Sequence, residues 1–190
     1  MAPKKPIEKA TFPHVVESAI ENGSGPEALY AALDLGTNSC RMLIDQPKGA
    51  QFHVIDSFAK SVHLGSGLEK TGKLSRDSMN RTIQALKVCK QKLDKYDVKY
   101  SRLIATEACR RAKNSKDFIL KVFQETGLKL NIIDTEEEAR LAVISCAPLV
   151  SSRSEQLLVV DIGGGSTELV WIDLSAVPSH ERPKSIMRLH

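Results

Sequence analysis

The sequence predicts an α/β protein with a mixed sheet and helices on both faces. Two observations lead to this prediction. Short apolar stretches typical of strands alternate with helical stretches from about Leu29 to the end of the chain. Two segments also look alike, because each consists of an apolar strand, an aspartate, a small turn and a following strand.

The predicted elements begin with three strands, at 29–35, 40–44 and 51–58, whose tight connections predict an antiparallel meander. A long helix follows, which Ser75 can cap. Its apolar residues recur at spacings of three, four or seven, and they are Met79, Ile83, Leu86, Leu93 and Tyr96. The remaining elements are a strand at 102–106, a helix at 114–126, a strand at 128–133, a helix at 136–150, and strands at 157–162 and 167–174.

Composition and charge narrow the class of protein. Apolar residues make up 42% and charged residues 26%, as in ordinary globular proteins. The net charge of +4 fits an anionic ligand. The sequence contains no basic stripe interleaved with aromatic residues, so it does not indicate nucleic-acid binding. The four cysteines lack metal-ligand spacing, so we expect reduced thiols, which fit the cytosol. The sequence has neither a signal peptide nor an apolar run long enough to cross a bilayer. We therefore predict a cytoplasmic protein without a membrane partner.

The two similar segments are candidate phosphate cradles. The first cradle follows Asp34 and consists of Gly36, Thr37, Asn38 and Ser39. The second cradle follows Asp161, precedes Glu168 and consists of Gly163, Gly164, Gly165, Ser166 and Thr167. Glycines let the backbone approach a ligand and take φ > 0, so that successive amides converge on phosphate oxygens. An aspartate at each strand end can hold Mg²⁺, usually through water.

Each cradle also has a plain structural interpretation as an ordinary β-hairpin turn. That interpretation is favoured for the first segment taken alone, because Asp and Gly are common turn residues. The second segment differs, since three consecutive glycines cost conformational entropy that a simple turn does not require. The pairing of the two segments strengthens the functional interpretation.

Five motifs in this order resemble the exopolyphosphatase and guanosine pentaphosphate phosphohydrolase family, a branch of the actin, Hsp70 and sugar-kinase superfamily. The motifs are Ala32–Ser39, His63–Leu68 with Thr71–Leu74, Ala105–Arg110 with Ala112–Asn114, Glu137–Leu141 and Asp161–Glu168. The resemblance implies an actin-like (ribonuclease H-like) fold. It places a flexible arm at 1–28, a first lobe at 29–150 and the beginning of a second, truncated lobe at 151–190.

The resemblance also implies roles for single residues. Glu138 corresponds to the catalytic glutamate, Arg110 to a phosphate-binding arginine, and Asp34, Asp161 and Glu168 to the acids that hold Mg²⁺. This chain has Asp134-Thr135-Glu136 where the family usually has Ser-Gly before its acidic pair, so the base remains open among Glu136, Glu137 and Glu138.

Structural alternatives exist for these residues too. Thr135 and Glu138 have the spacing of a capping box at a helix start. Arg110 could be a surface residue of a connection, and Glu168 could face solvent from its strand.

The function implied is a phosphoanhydride hydrolase. It would release terminal orthophosphate from inorganic polyphosphate, guanosine pentaphosphate or both, with Mg²⁺ as cofactor and with water activated by a glutamate. Two alternatives stay open: an ATP-dependent kinase or ATPase of the same superfamily, and a non-catalytic module that senses polyphosphate or nucleotide. We also expect a homodimer for the full-length protein and no nucleic-acid partner.

Overall fold

A computed structural model of the chain describes residues 28–48 and 51–187. The strands are β1 (Tyr30–Leu35), β2 (Ser39–Lys48), β3 (Gln51–Ser61), β4 (Tyr100–Ala105), β5 (Asn131–Ile132), β6 (Gln156–Ile162) and β7 (Thr167–Asp173). The helices are α1 (Leu68–Thr71), α2 (Arg76–Lys95), α3 (Glu107–Arg111), α4 (Ser115–Thr126), α5 (Thr135–Cys146) and α6 (Arg182–Met187). Short 3₁₀ turns occur at Ala147–Leu149 and Ser179–Glu181. The predicted arm at 1–28 lies outside the described residues, apart from residue 28.

The first five strands form one mixed sheet in the order β3-β2-β1-β4-β5. β1, β2 and β3 pair antiparallel, as the predicted meander requires. β4 pairs parallel with β1, and β5 pairs parallel with β4. Because Leu35 lies opposite Ala105, β1 and β4 end at the same edge of the sheet. The residues that follow these two strands therefore meet there.

Helices α2 and α4 cover one face of this sheet. Side chains alternate along β1, so Leu33 and Leu35 lie in the core. The apolar residues predicted for α2 are buried or pack partly buried against that core: Met79, Ile83, Leu86, Leu93 and Tyr96. Ser75 caps α2 as predicted, accepting a 3.1 Å hydrogen bond from the Ser78 amide. Full burial of each leucine or isoleucine stabilises the fold by about 1.5–3 kcal/mol.

Helix α5 lies on the opposite face, beside β4. Glu137 of α5 forms an ion pair with Arg102 of β4. Leu141 of the same helix borders a trough of about 420 Å³, lined mainly by residues of β1 to β4. The mixed sheet thus has helices on both faces, as predicted, although the described residues cover this second face only in part.

The last two strands form a separate antiparallel hairpin. Within the part of the chain that the structure describes, β6 and β7 pair only with each other. Val159 of this hairpin joins Val143 of α5 and Ile186 of α6 in a second buried cluster. The outer face of the hairpin exposes Leu158, Val160, Ile162, Leu169 and Trp171. Each of these two strands therefore has one edge without a strand partner among the described residues.

The structure differs from the sequence prediction at five elements. The strand predicted at 128–133 pairs only over Asn131–Ile132, because Leu128 and Leu130 pack into the core outside the ladder. The helix predicted at 136–150 gives way to a 3₁₀ turn at Ala147–Leu149, where a proline prevents continuation. The short helices α1, α3 and α6 are not predicted, since four to six residues show no clear periodicity.

Asn114 precedes α4 but does not cap it. Its Nδ2 donates to the Leu74 carbonyl at 3.0 Å, and its Oδ1 accepts from the Leu74 amide at 2.8 Å. The side chain thus ties the start of α4 to the loop before α2. Gly127 ends α4, with φ of 73° in the left-handed region.

The cysteines are free thiols, as predicted. Cys40, Cys89 and Cys109 are buried, and burial raises the pKa of the Cys109 thiol to about 12. Across residues 28–48 and 51–187, no helix has the length and apolar character needed to span a bilayer.

Candidate active site

The first cradle joins β1 to β2 in an antiparallel hairpin. The Gly36 amide donates to the Ser39 carbonyl at 2.9 Å and closes the turn. Asp34 lies one residue before the end of β1, with its side chain on the face opposite the core because Leu33 and Leu35 are buried. This turn is an ordinary hairpin connection, so it does not identify a function on its own.

The second cradle repeats this geometry between β6 and β7. The Gly163 amide donates to the Ser166 carbonyl at 2.9 Å, with the same residue spacing as in the first cradle. Asp161 again lies one residue before the strand end, and it is paired across the ladder with Glu168. Two carboxylates directly opposite on neighbouring strands repel each other, which favours a cation beside them.

The two cradles lie in contact. A Cβ atom added to Gly164 would lie 2.5 Å from Asn38 Nδ2, and one added to Gly165 would lie 2.7 Å from Thr37 Oγ1. Neither these two glycines nor the others of the cradles have a positive φ, so the prediction that they adopt φ > 0 is wrong. What glycine supplies here is close approach of one backbone to the other loop.

A cleft of about 370 Å³ lies between the cradles. The predicted site residues that line it are Asp34, Gly36, Thr37, Asn38, Ser39, Glu138, Asp161, Gly163, Gly164, Gly165, Ser166 and Glu168. Thr167 does not line the cleft. Side chains alternate along β7, so the side chain of Thr167 lies on the opposite face of the hairpin from that of Glu168. Arg110 is also absent from the lining. The volume is suited to a small ligand.

Helix α5 resolves which of its consecutive glutamates faces the cleft. The helix begins at Thr135, and Asp134 caps it by accepting a 2.8 Å hydrogen bond from the Glu137 amide. The capping box with Thr135 as cap is therefore wrong, and Glu138 is not used as its partner. Glu136 is exposed, Glu137 pairs with two arginines of β4 and α5, and Glu138 lines the cleft.

Arg110 lies behind the cleft and bridges two carboxylates. Its Nη1 donates to Glu138 Oε2 at 2.7 Å and to the Ile133 carbonyl at 3.0 Å. Its Nη2 donates to Glu107 Oε2 at 2.7 Å. Burial opposes the charge of Arg110, but the hydrogen bonds to Glu138 and Glu107 outweigh burial and raise its pKa. The structure thus places Arg110 as an anchor for acids that line the cleft.

Two charged cleft residues are missed by the sequence analysis. Glu107 lies three residues before Arg110 on α3, a spacing that brings side chains together on a helix. Arg41 of β2 lies opposite Asp34 in the β1–β2 ladder, and it lines the same cleft. The signal for Arg41 is its place two residues after Ser39, which puts both side chains on one face of β2.

Negative charge dominates the cleft. Carboxylates that line it come from Asp34, Glu107, Glu138, Asp161 and Glu168, and Arg41 is the one basic side chain among the described lining residues. Burial raises the pKa of Asp34, the charges of Glu138 and Asp161 raise it further, and Arg41 offsets these effects only in part. Asp34 nevertheless remains exposed to solvent.

These carboxylates suit a hard cation such as Mg²⁺, which prefers oxygen ligands and usually retains several waters. In residues 28–48 and 51–187, no group of three or more acidic, histidine or cysteine side chains forms a ready-made metal cage. A cation in this cleft would therefore take few ligands directly from these side chains and would keep most of its waters. Asp34, Asp161 and Glu168 would hold it.

The β3-β2-β1-β4-β5 sheet, followed by a second hairpin with the same aspartate and turn, defines a protein of the actin-like class. The cleft described above lies between the two matching turns. The chain belongs to the Ppx/GppA phosphatase family, whose model matches residues 43–182.

Solved structures agree with this membership. The PPX-GPPA enzyme of Aquifex aeolicus is 37% identical, with a TM-score of 0.69, over 77% of this chain and 48% of that one. An exopolyphosphatase from Cytophaga hutchinsonii is 27% identical, with a TM-score of 0.72, over 76% of this chain and 46% of that one. The present chain thus spans about half the length of these relatives.

Proposed function

We propose that this chain carries the catalytic cleft of a phosphoanhydride hydrolase. The reaction releases terminal orthophosphate from inorganic polyphosphate, from guanosine pentaphosphate, or from both. The observation that carries the proposal is that both cradles and Glu138 line one cleft. Membership of the Ppx/GppA phosphatase family supports the same reaction class.

Binding is assigned to the two cradles, with Arg41 beside them. Backbone amides and the hydroxyls of Thr37, Ser39 and Ser166 are neutral donors suited to phosphate oxygens. Arg41, which lines the cleft, adds a planar cationic donor fork. Phosphoryl transfer depends mainly on such positioning and on charge neutralisation, since little covalent chemistry is required of the protein.

Glu138 is assigned as the general base. Its Oε2 accepts from Arg110, so Oε1 is the atom assigned to the attacking water. The water oxygen bonds to the terminal phosphorus as the bond from that phosphorus to the bridging oxygen breaks. Glu138 takes the proton of the water, and the products are orthophosphate and a chain shorter by one phosphate.

Mg²⁺ is the proposed cofactor. When bound, it neutralises phosphate charge and so lowers the repulsion between an anionic substrate and an anionic cleft. The residues of this chain contribute by holding carboxylates on both sides of the cleft, from β1 and from the β6–β7 hairpin. The homodimer, the cytoplasmic location and the lack of nucleic-acid or membrane partners stay predictions.

The test is phosphate release by this chain from polyphosphate, guanosine pentaphosphate and ATP, with and without Mg²⁺. We expect release from one or both of the first two, and a loss of at least about 100-fold in Glu138→Gln. Glu136→Gln is the matched control, because that neighbouring glutamate is exposed. Full activity of Glu138→Gln contradicts the base assignment. Preference for ATP, or binding without release, contradicts the proposed reaction.

A further inference from the structure

The loop that follows β3, residues 62–67, supports the backbone of the first cradle. We propose that Gly65 of this support loop is a positioning residue for phosphate binding by the first cradle. The inference rests on the phosphate binding proposed above. It assigns a role to a glycine that lies outside both cradles and does not line the cleft.

Three amides of the support loop hold two carbonyls of the first cradle. The Gly65 amide donates to the Thr37 carbonyl at 3.0 Å. The Val62 and His63 amides both donate to the Asn38 carbonyl, at 2.8 and 2.9 Å. The orientation of two successive peptide planes in the cradle is therefore fixed from one side.

Fixing those carbonyls also directs the amides of the cradle. In a trans peptide the N–H group points opposite to the C=O group, and the described residues contain no cis peptide. The amides of Asn38 and Ser39 therefore point away from the support loop. Because convergent backbone amides form anion sites, the support loop prepares the first cradle for phosphate.

Gly65 is required by the closeness of this contact. A Cβ atom added to Gly65 would lie 2.4 Å from Cγ2 of Thr37, which is too close for two non-bonded carbon atoms. Its φ is not positive, so the restriction comes from contact and not from backbone conformation. On its other side, Thr37 Oγ1 meets Gly165 of the second cradle. Thr37 is thus held between glycines of two loops.

The support loop is itself well anchored. Val62 and Leu64 of the loop, and Leu68 directly after it, are buried in the main core. Arg81 of α2 donates from Nε to the Val62 carbonyl at 2.7 Å. Because the loop is anchored, we expect a methyl group added at Gly65 to displace the Thr37 side chain, and with it the cradle, while the loop stays in place.

The test is a cycle of Gly65→Ala, Thr37→Ser and the double variant. Tripolyphosphate binding in Mg²⁺ is measured by calorimetry, together with thermal unfolding. We expect Gly65→Ala to weaken binding about tenfold, which corresponds to about 1.4 kcal/mol. Serine lacks the Cγ2 atom, so adding Gly65→Ala to Thr37→Ser should change affinity less than twofold. Ser66→Ala, an exposed neighbour in the same loop, is the matched control.

Equal loss of affinity from Gly65→Ala in both backgrounds, or no loss in either, overturns the inference. If the wild-type chain does not bind tripolyphosphate, the proposed function fails for this chain, and amide hydrogen exchange still tests the positioning role. Hydrogen exchange of the Val62 and His63 amides should be faster in Gly65→Ala than in the wild type. In the double variant, these amides should exchange at the same rate as in Thr37→Ser alone. Unchanged exchange in Gly65→Ala overturns the positioning role without any ligand.

Discussion

Arg110 donates a 2.7 Å hydrogen bond from Nη1 to Oε2 of Glu138, the glutamate that faces the cradles. The same guanidinium holds Glu107 with Nη2. The family resemblance implies a different use of Arg110, as a direct ligand of phosphate. In this structure its donors are directed to carboxylates, so its proposed effect on hydrolysis is to orient the base.

Arg110→Lys separates the two roles of this residue. Lysine carries the charge but lacks the planar fork that bridges two carboxylates. If Arg110 orients Glu138, we expect kcat for phosphate release to fall about 10- to 100-fold while KM changes less than about threefold. Steady-state kinetics with polyphosphate measure both. A rise in KM at unchanged kcat would instead assign Arg110 to ground-state phosphate binding.

Glu107→Gln tests the second half of the bridge. The side chains of Glu107 and Arg110 are 19% and 17% exposed, so screening by solvent is limited. We expect a loss of about 1 kcal/mol, which lowers Tm by about 2–4 °C. Glu69→Gln is the control, since that side chain is 85% exposed and lies 3.8 Å from Arg111. Equal shifts in the two variants would refute a special contribution from the bridge.

The ion pairs of Glu137 should make the free energy of unfolding depend on pH in the acid range. Hydrogen bonds from Arg140 and Arg102 lower its pKa from 4.5 to about 2. A lowered pKa in the folded state adds stability above pH 4.5, and that stability is lost as pH falls from 4.5 towards 2. Glu137→Gln should therefore cost about 1–2 kcal/mol at neutral pH and almost nothing near pH 2. Urea unfolding across this range measures the difference, and a cost independent of pH contradicts it.

Asp34→Asn should slightly increase the stability of the fold at neutral pH. Burial and the charges of Glu138 and Asp161 raise the pKa of Asp34, so its ionised form opposes folding at neutral pH. Asparagine removes that repulsion, and we expect a gain of up to about 0.5 kcal/mol, or about 1–2 °C in Tm. The gain should shrink as acid protonates Asp34 in the wild type.

The same variant should bind tripolyphosphate about tenfold more weakly in Mg²⁺, because one carboxylate for the cation is lost. With chelator present it should bind more tightly than the wild type, because the cleft carries one negative charge fewer. Calorimetry under both conditions provides the comparison. Weaker binding in both would argue against a metal role for Asp34.

The sequence by itself determined the local features of this protein. Periodicity placed α2 with its buried residues, short apolar runs placed the strands, and the Asp-Gly spacing located both cradles. These features depend on neighbours within a few residues, whose backbone preferences follow from the residue types themselves. The ordered motifs also located the family, which the model match to residues 43–182 confirmed.

Only the tertiary structure decided which side chains share the cleft. Successive residues on a helix point about 100° apart. Three consecutive glutamates therefore face three directions, and packing of α5 against the sheet directs Glu138 inward. The partners of Arg110 and Gly65 lie as far as 28 residues away along the chain. Contacts at such separations depend on how the elements pack, and local backbone preference carries no information about them.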